Sequence, residues 1–148
     1  MRKASVYENE VTTLFDYVMI YLKVWKLACQ NKIKDDDHHH GVGETQWYTS
    51  TYNFLCLVES LCYDYTKAVL VDCESLKFCS SVIVAALVRA SIEVVFNQVA
   101  AGTEKPKDKP ILDQLRTCNA VWDSITKRIF GEGCLPHLDS FGRYLVLR

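Results

Sequence analysis

The chain has 148 residues, of which 49% are hydrophobic, 11% aromatic and 24% charged, with six glycines and three prolines. This composition is typical of one folded domain and excludes a disordered or collagen-like chain, and the length is sufficient for a hydrophobic core without metal or disulfide crosslinks. The 17 basic and 18 acidic residues give a net charge of −1, which disfavours binding to nucleic acid or to an anionic membrane surface.

The first predicted element is a helix over residues 12–30. Apolar residues recur there at intervals of three and four, which is typical of one helical face: Val11, Leu14, Phe15, Val18, Met19, Leu22, Trp25 and Leu27. Residues 31–46 are polar and include Gly41 and Gly43. We therefore predict that residues 31–46 form a mobile loop that is rich in acidic residues and histidine.

Two further helices are predicted after this loop. The second, over residues 47–65, is amphipathic. The third, over residues 82–99, is apolar on nearly every side and carries only Arg89 and Glu93 as charged residues. A helix that is apolar all round is usually buried, and alanines such as Ala86 let neighbouring helices approach closely. The third helix is therefore expected at the centre of the domain.

The fourth predicted helix follows a charged linker at residues 102–109 and begins at Pro110. Its apolar residues share one helical face: Ile111, Leu115, Cys118, Trp122, Ile125 and Ile129. Gly131 is suited to end this helix. The remaining C-terminal tail, residues 131–148, contains Tyr-Leu-Val-Leu at residues 144–147, which fits either a short strand or a docked helical turn. No long alternating pattern indicates a sheet, so we predict an all-α fold in one domain over residues 1–148.

The sequence also predicts an intracellular protein, in the cytoplasm or nucleus. The longest uninterrupted apolar run is the seven residues 82–88, whereas a membrane-spanning helix needs about 20. Glu8 and Glu10 follow the basic N-terminus where a secretory signal would be apolar. The seven cysteines are an odd number and include no Cys-x-x-Cys pair, which favours reduced thiols over disulfides or a zinc site.

Three of the predicted segments resemble the C-terminal repeat of the cyclin fold. Residues 75–87, Ser-Leu-Lys-Phe-Cys-Ser-Ser-Val-Ile-Val-Ala-Ala-Leu, are similar to the start of its central third helix. Residues 54–61, Phe-Leu-Cys-Leu-Val-Glu-Ser-Leu, resemble its second helix, and residues 11–18, Val-Thr-Thr-Leu-Phe-Asp-Tyr-Val, its first. The resemblance covers about residues 11–130. It implies a cyclin-like globular domain of five helices around a buried central helix.

The sequence departs from the cyclin pattern at two points. Cys79-Ser80 replaces the Pro-Ser pair that usually begins the third helix, which leaves Ser80 as the expected N-cap. No segment matches the lysine and glutamate with which the N-terminal cyclin box grips its kinase, so no kinase-contacting residue is assigned. The resemblance implies a non-enzymatic regulatory or scaffold domain that acts by protein–protein contact, with a cyclin-dependent kinase as candidate partner. The alternative is an adaptor or transcription-factor-type cyclin-fold module without a kinase partner.

Residues 35–40, Asp-Asp-Asp-His-His-His, are the most conspicuous group of metal-ligand type. Side chains alternate in an extended chain, so only subsets such as Asp36, His38 and His40 could converge on one ion. Ordering the predicted loop around such an ion costs conformational entropy. We therefore predict no metal site here.

Other combinations that could carry chemistry are few. Cys134, His137 and Asp139 lie close in sequence, but a Cys–His site is usually assembled from separate segments. Arg89 and Glu93 lie one helical turn apart and are expected to form a structural ion pair. The sequence contains no glycine-rich phosphate-binding motif. We predict no catalytic residue and no cofactor, and we expect the three tryptophans in the core: Trp25, Trp47 and Trp122.

Overall fold

A computed structural model describes the backbone of residues 2–40, 44–71, 78–102 and 109–147, and the side chains of residues 14–34, 51–71, 78–102 and 111–145. The described backbone forms five α-helices: α1 (Arg2–His40), α2 (Glu44–Val71), α3 (Ser80–Gly102), α4 (Lys109–Phe130) and α5 (Cys134–Leu147). These residues contain no strand. The predicted all-α fold is therefore confirmed.

Helix α3 is the central helix of the domain, as its apolar composition predicts. It packs against each of the other four helices. Most of its first four turns are buried: Ile83, Val84, Ala85, Ala86, Leu87, Val88, Ser91, Ile92 and Val95. Contact with four helices explains why the sequence of α3 shows no polar side.

Helix α3 is also long and apolar enough to cross a membrane, with a mean hydropathy of 1.7 over 18 residues. Half of that window is buried against the other helices of the protein. The central helix of a folded domain has the same length and composition, so this property is weak evidence for a membrane span.

The N-cap of α3 lies one residue before the expected N-cap, Ser80. The carbonyl oxygen of Cys79 accepts hydrogen bonds from the amide groups of Val82 (3.1 Å) and Ile83 (3.0 Å). The residue whose carbonyl receives the first bond of a helix occupies the N-cap position. Cys79 therefore caps α3 in place of Ser80, which lies in the first turn.

Helix α1 continues well beyond its predicted end. Residues 31–40 and 44–46 are helical, so the predicted loop at 31–46 is wrong over those residues, while residues 41–43 lie outside the described part. Ile33 is only 6% exposed and extends the buried stripe of Leu22, Trp25 and Cys29 by one turn. Polar composition there reflects exposure to solvent, and no glycine or proline interrupts residues 31–40.

The fourth helix agrees closely with the prediction. It begins at Lys109, one residue before Pro110, and ends at Phe130. Gly131 follows with a φ of 98°, a conformation that favours glycine, and its amide donates a hydrogen bond to the carbonyl of Lys127 (2.8 Å). This hydrogen bond closes the last turn of α4. The linker residues 103–108 lie outside the described part.

The C-terminal tail forms a helix, α5, and the strand alternative is wrong. Leu138 and Leu145, two turns apart, are buried in the core. A Cβ atom built on Gly142 would lie 2.9 Å from the carbonyl oxygen of Ala86 in α3. The axes of α3 and α5 thus approach closely, and the small residues on both sides permit this contact.

Two of the three tryptophans lie in the core, as predicted. Trp25 and Trp122 are fully buried. The indole Nε1 of Trp25 donates a hydrogen bond to the carbonyl of Cys118 (2.8 Å) and so links α1 to α4. The side chain of Trp47 lies outside the described part.

Candidate functional site

Helix α1 has a solvent-exposed apolar face, which we call the α1 face: Met19, Ile20, Val24 and Leu27. These four side chains are between 45% and 58% exposed. Ile20, Val24 and Leu27 follow the four-and-three spacing with which a helix presents anchors to a partner. The opposite side of α1 packs into the core through residues such as Val18 and Trp25. The α1 face is therefore a second apolar surface on one helix.

A groove between α1 and α2 adjoins this face, with a volume of about 350 Å³. Its lining combines apolar and charged side chains: Met19, Leu22, Lys23, Lys26, Leu27, Gln30, Glu59 and Tyr63. An ion pair between Lys26 and Glu59 joins the two helices. Lys23 has no ion-pair partner within the described side chains. The groove thus offers apolar contacts together with one ammonium group for a carboxylate.

A larger groove of about 500 Å³ lies where the start of α3, the end of α4 and the start of α5 meet, and we call it the α5 groove. Its lining is mostly apolar and aromatic: Phe78, Val82, Phe130, Gly133, Cys134, His137, Leu138 and Phe141. The rings of Phe78 and Phe141 contact edge to face, with centroids 4.7 Å apart. This composition is typical of sites that bind apolar groups.

Of the three residues considered for a cysteine-based catalytic site, Cys134, His137 and Asp139, the structure places two beside the same groove. Cys134 and His137 both line the α5 groove. The Cys134 thiol donates to the carbonyl of Thr126 (3.6 Å). Asp139 instead makes an ion pair with Arg143 (3.2 Å). A catalytic cysteine needs a base and an orienting carboxylate, and the described contacts supply neither to Cys134.

Arg89 makes its ion pairs across helices. It pairs with Asp123 of α4, and its Nε lies 3.9 Å from an oxygen of Asp139 in α5. The predicted pair with Glu93 is not among the ion pairs of the described side chains. A residue one turn along the same helix is a frequent partner, but α4 and α5 bring carboxylates closer to the guanidinium. Arg89 thus ties α3 to both of its neighbours.

Among the described cysteines, the thiol most suited to reaction is that of Cys79, for which the sequence indicated no reactivity. Its Sγ lies 3.2 Å from the hydroxyl of Ser81, and it is exposed at the start of α3. Hydrogen bonds from Ser81 and Val82 stabilise the thiolate and lower the pKa of Cys79. By contrast, burial raises the pKa of Cys62 to about 12. A hydrogen bond with Cys118, together with burial, raises the pKa of Cys29.

The acidic and histidine segment at residues 35–40 is part of α1. Its backbone is therefore helical, whereas the prediction of no metal site assumed an extended chain. Its side chains lie outside the described part. Among the residues that are described, no group of three or more histidine, cysteine, aspartate or glutamate side chains could hold a metal ion. The absence of metal binding at His38 and His40 stays a prediction.

Comparison of the chain with models of known protein families, with curated proteins and with solved structures finds no match. The geometry of the two grooves and of the α1 face therefore carries the functional argument.

Proposed function

We propose that the protein is a non-enzymatic regulatory or scaffold domain with a cyclin-like fold, and that it acts on a cyclin-dependent kinase by protein–protein contact. The observation that carries this proposal is the α1 face, because four large apolar side chains on one helix remain about half exposed. Contiguous exposed apolar surface of this kind is typical of sites that bind another protein.

The helical arrangement supports the cyclin part of the proposal. The resemblance places residues 11–18 and 54–61 in the first two helices of a five-helix domain, and they lie in α1 and α2. It also places residues 82–87 in a buried central helix, and α3 packs against the four other helices. The order of helices and the position of the buried one thus agree with the proposed fold, while fold alone does not fix function.

The proposed contact is a helix of the partner laid along α1, beside the groove between α1 and α2. Apolar side chains of the partner would cover Ile20, Val24 and Leu27, and a carboxylate would pair with Lys23. Burial of apolar surface supplies most of the free energy, while the ion pair at the rim mainly orients the partner. The absence of the kinase-gripping residues predicts a small accessory interface, below about 1,200 Å² of total buried surface.

The test measures binding of the purified chain to cyclin-dependent kinases from its own source by biolayer interferometry. We expect the double variant Ile20→Glu, Val24→Glu to bind at least tenfold more weakly, because charges replace two central anchors. The matched control is Leu57→Glu, Val71→Glu, which alters two exposed apolar residues of α2 outside the groove lining. Equal loss in both variants, or no binding of any kinase by the native chain, contradicts the proposal.

A kinase assay on a histone substrate separates an accessory partner from an activator. We expect the isolated chain to leave the phosphorylation rate unchanged, because no segment matches the part of cyclins that clamps the mobile kinase helix. Strong activation would show that the domain grips its kinase through residues not identified above. A partner that binds through the α1 face and is not a kinase would favour the adaptor alternative.

A further inference from the structure

We propose that the α5 groove binds a monocarboxylate with an unbranched apolar chain, of the medium-chain fatty-acid class. This site is separate from the proposed protein contact. The groove is formed by the ends of α3, α4 and α5, whereas the α1 face belongs to α1. Either proposal can therefore fail without the other.

The lining of the groove suits a hydrocarbon chain. Phe78, Phe130 and Phe141 supply aromatic surface, and Val82 and Leu138 supply aliphatic surface. Phe78 is 48% exposed although it is a large apolar residue, so part of its ring remains open to a ligand. The volume of about 500 Å³ lies within the range of about 300–1,000 Å³ that is usual for small-molecule sites.

The walls of the groove are held in place by the packing around it. Gly142 of α5 lies against Ala86 of α3 so closely that a Cβ atom at residue 142 would lie 2.9 Å from the Ala86 carbonyl oxygen. The guanidinium of Arg89 pairs with Asp123 in α4 and lies near Asp139 in α5. A site that is formed before the ligand arrives spares the cost of ordering it on binding.

The polar side chains of the groove favour a ligand with one anionic or acceptor end. The thiol of Cys134 is already directed to the carbonyl of Thr126. His137 is exposed, and within the described part of the chain its imidazole makes no hydrogen bond or ion pair. Among the described residues that line the groove, none is aspartate or glutamate. The imidazole of His137 is therefore available to donate to a carboxylate at the rim.

The probes are decanoate, octanoate and decanol, added below micellar concentrations to the full chain, with binding measured by isothermal titration calorimetry. We expect decanoate to bind at a 1:1 ratio, about tenfold more tightly than octanoate because two more methylene groups are buried. His137→Ala is expected to weaken decanoate about tenfold, because a charge-assisted hydrogen bond is lost, and to leave decanol unchanged.

A second variant obstructs the groove without altering its polar group. Gly133 lines the groove, and a Cβ at this residue meets no atom within 4 Å, so Gly133→Phe can add a ring at low cost to the fold. The matched control is Gly102→Phe at the end of α3, where a Cβ also meets nothing within 4 Å. We expect decanoate affinity to fall at least tenfold in the first variant and to stay unchanged in the second.

Phe78→Ala is a third variant that tests the apolar lining of the groove. Phe78 is half exposed, so its loss leaves the buried core intact. We expect it to weaken decanoate several-fold. The proposal is overturned if decanoate shows no saturable binding, or if Gly133→Phe and Phe78→Ala both bind it as the native chain does. Equal affinities for decanoate and decanol in the native chain would overturn the assignment of a carboxylate end.

Discussion

The close approach of α5 to α3 at Gly142 offers a sharp test of the packing around α3. In Gly142→Ala, the new methyl group would lie 2.9 Å from the backbone carbonyl oxygen of Ala86 and 3.4 Å from the Cβ of Ala90. The first contact is too short for carbon against oxygen, and a backbone oxygen inside a helix cannot rotate away. Overpacking of this kind costs about 1–3 kcal/mol, whereas alanine in a helix gains about 1 kcal/mol over glycine. We therefore expect a net loss of up to about 2 kcal/mol.

The assay is thermal unfolding followed by circular dichroism at 222 nm. A loss of 1 kcal/mol lowers Tm by about 2–4 °C in a domain of this size. Gly102→Ala is the control for an added methyl group without a new contact, because its methyl group meets nothing within 4 Å. Ala86→Trp, from the other side of the crossing, is expected to cost several kcal/mol. If Gly142→Ala melts at the same temperature as Gly102→Ala and Ala86→Trp is harmless, the crossing is not close.

Two more predictions concern the thiol at the start of α3 and the histidine segment of α1. Cys79 should react with iodoacetamide faster than the buried thiols, with a rate that rises through a pH midpoint lower than that of an ordinary thiol, because a lowered pKa leaves more thiolate at neutral pH. Ser81→Ala should move this midpoint upward, as measured by mass spectrometry of the labelled peptide. An unchanged midpoint would show that the Ser81 hydroxyl does not stabilise the thiolate. Calorimetric titration with zinc should show no tight 1:1 site, and a tight site that disappears on replacing His38 and His40 with glutamine would refute this expectation.

The sequence predicts the fold class and α3 correctly, because a buried central helix is apolar on all sides and needs no partner information to be recognised. It predicts the end of α4 for a similar reason, since Gly131 adopts a backbone conformation that favours glycine. Both signals are local. Each follows from the residue types alone, whatever packs against them.

The helical signal is diluted in two segments, of which the sequence predicts one wrongly and leaves the other open. Polar residues at 31–40 suggested a loop, although Ile33 continues the buried stripe of α1. In α5, Cys134, Leu138, Phe141 and Leu145 recur at helical intervals, but the Tyr-Leu-Val-Leu end fits either a short strand or a docked helical turn, so the sequence leaves both open. Tertiary packing carries the missing information, because the glycine at 142 lets α5 lie close to Ala86 of α3.

The α1 face could not be separated from the core by sequence, because periodicity shows which residues share a helical side but not what covers that side. Met19 and Leu27 belong to the same apolar set as Leu14 and Trp25, yet the first two are half exposed and the last two are buried. The apolar residues of α1 cover more of the helix surface than one buried face needs, and this excess is the sequence signal for a second apolar face.

The energetics of the α1 face indicate what kind of contact it can make. Full burial of a large apolar side chain contributes about 1.5–3 kcal/mol, so four that are about half exposed leave about 3–6 kcal/mol to be gained from a partner. Association costs at least about 4 kcal/mol in lost translational and rotational freedom. The α1 face alone therefore supports only weak binding, and a stable complex needs further contacts from the groove between α1 and α2. Lys23 at the rim of that groove is suited to supply one of them.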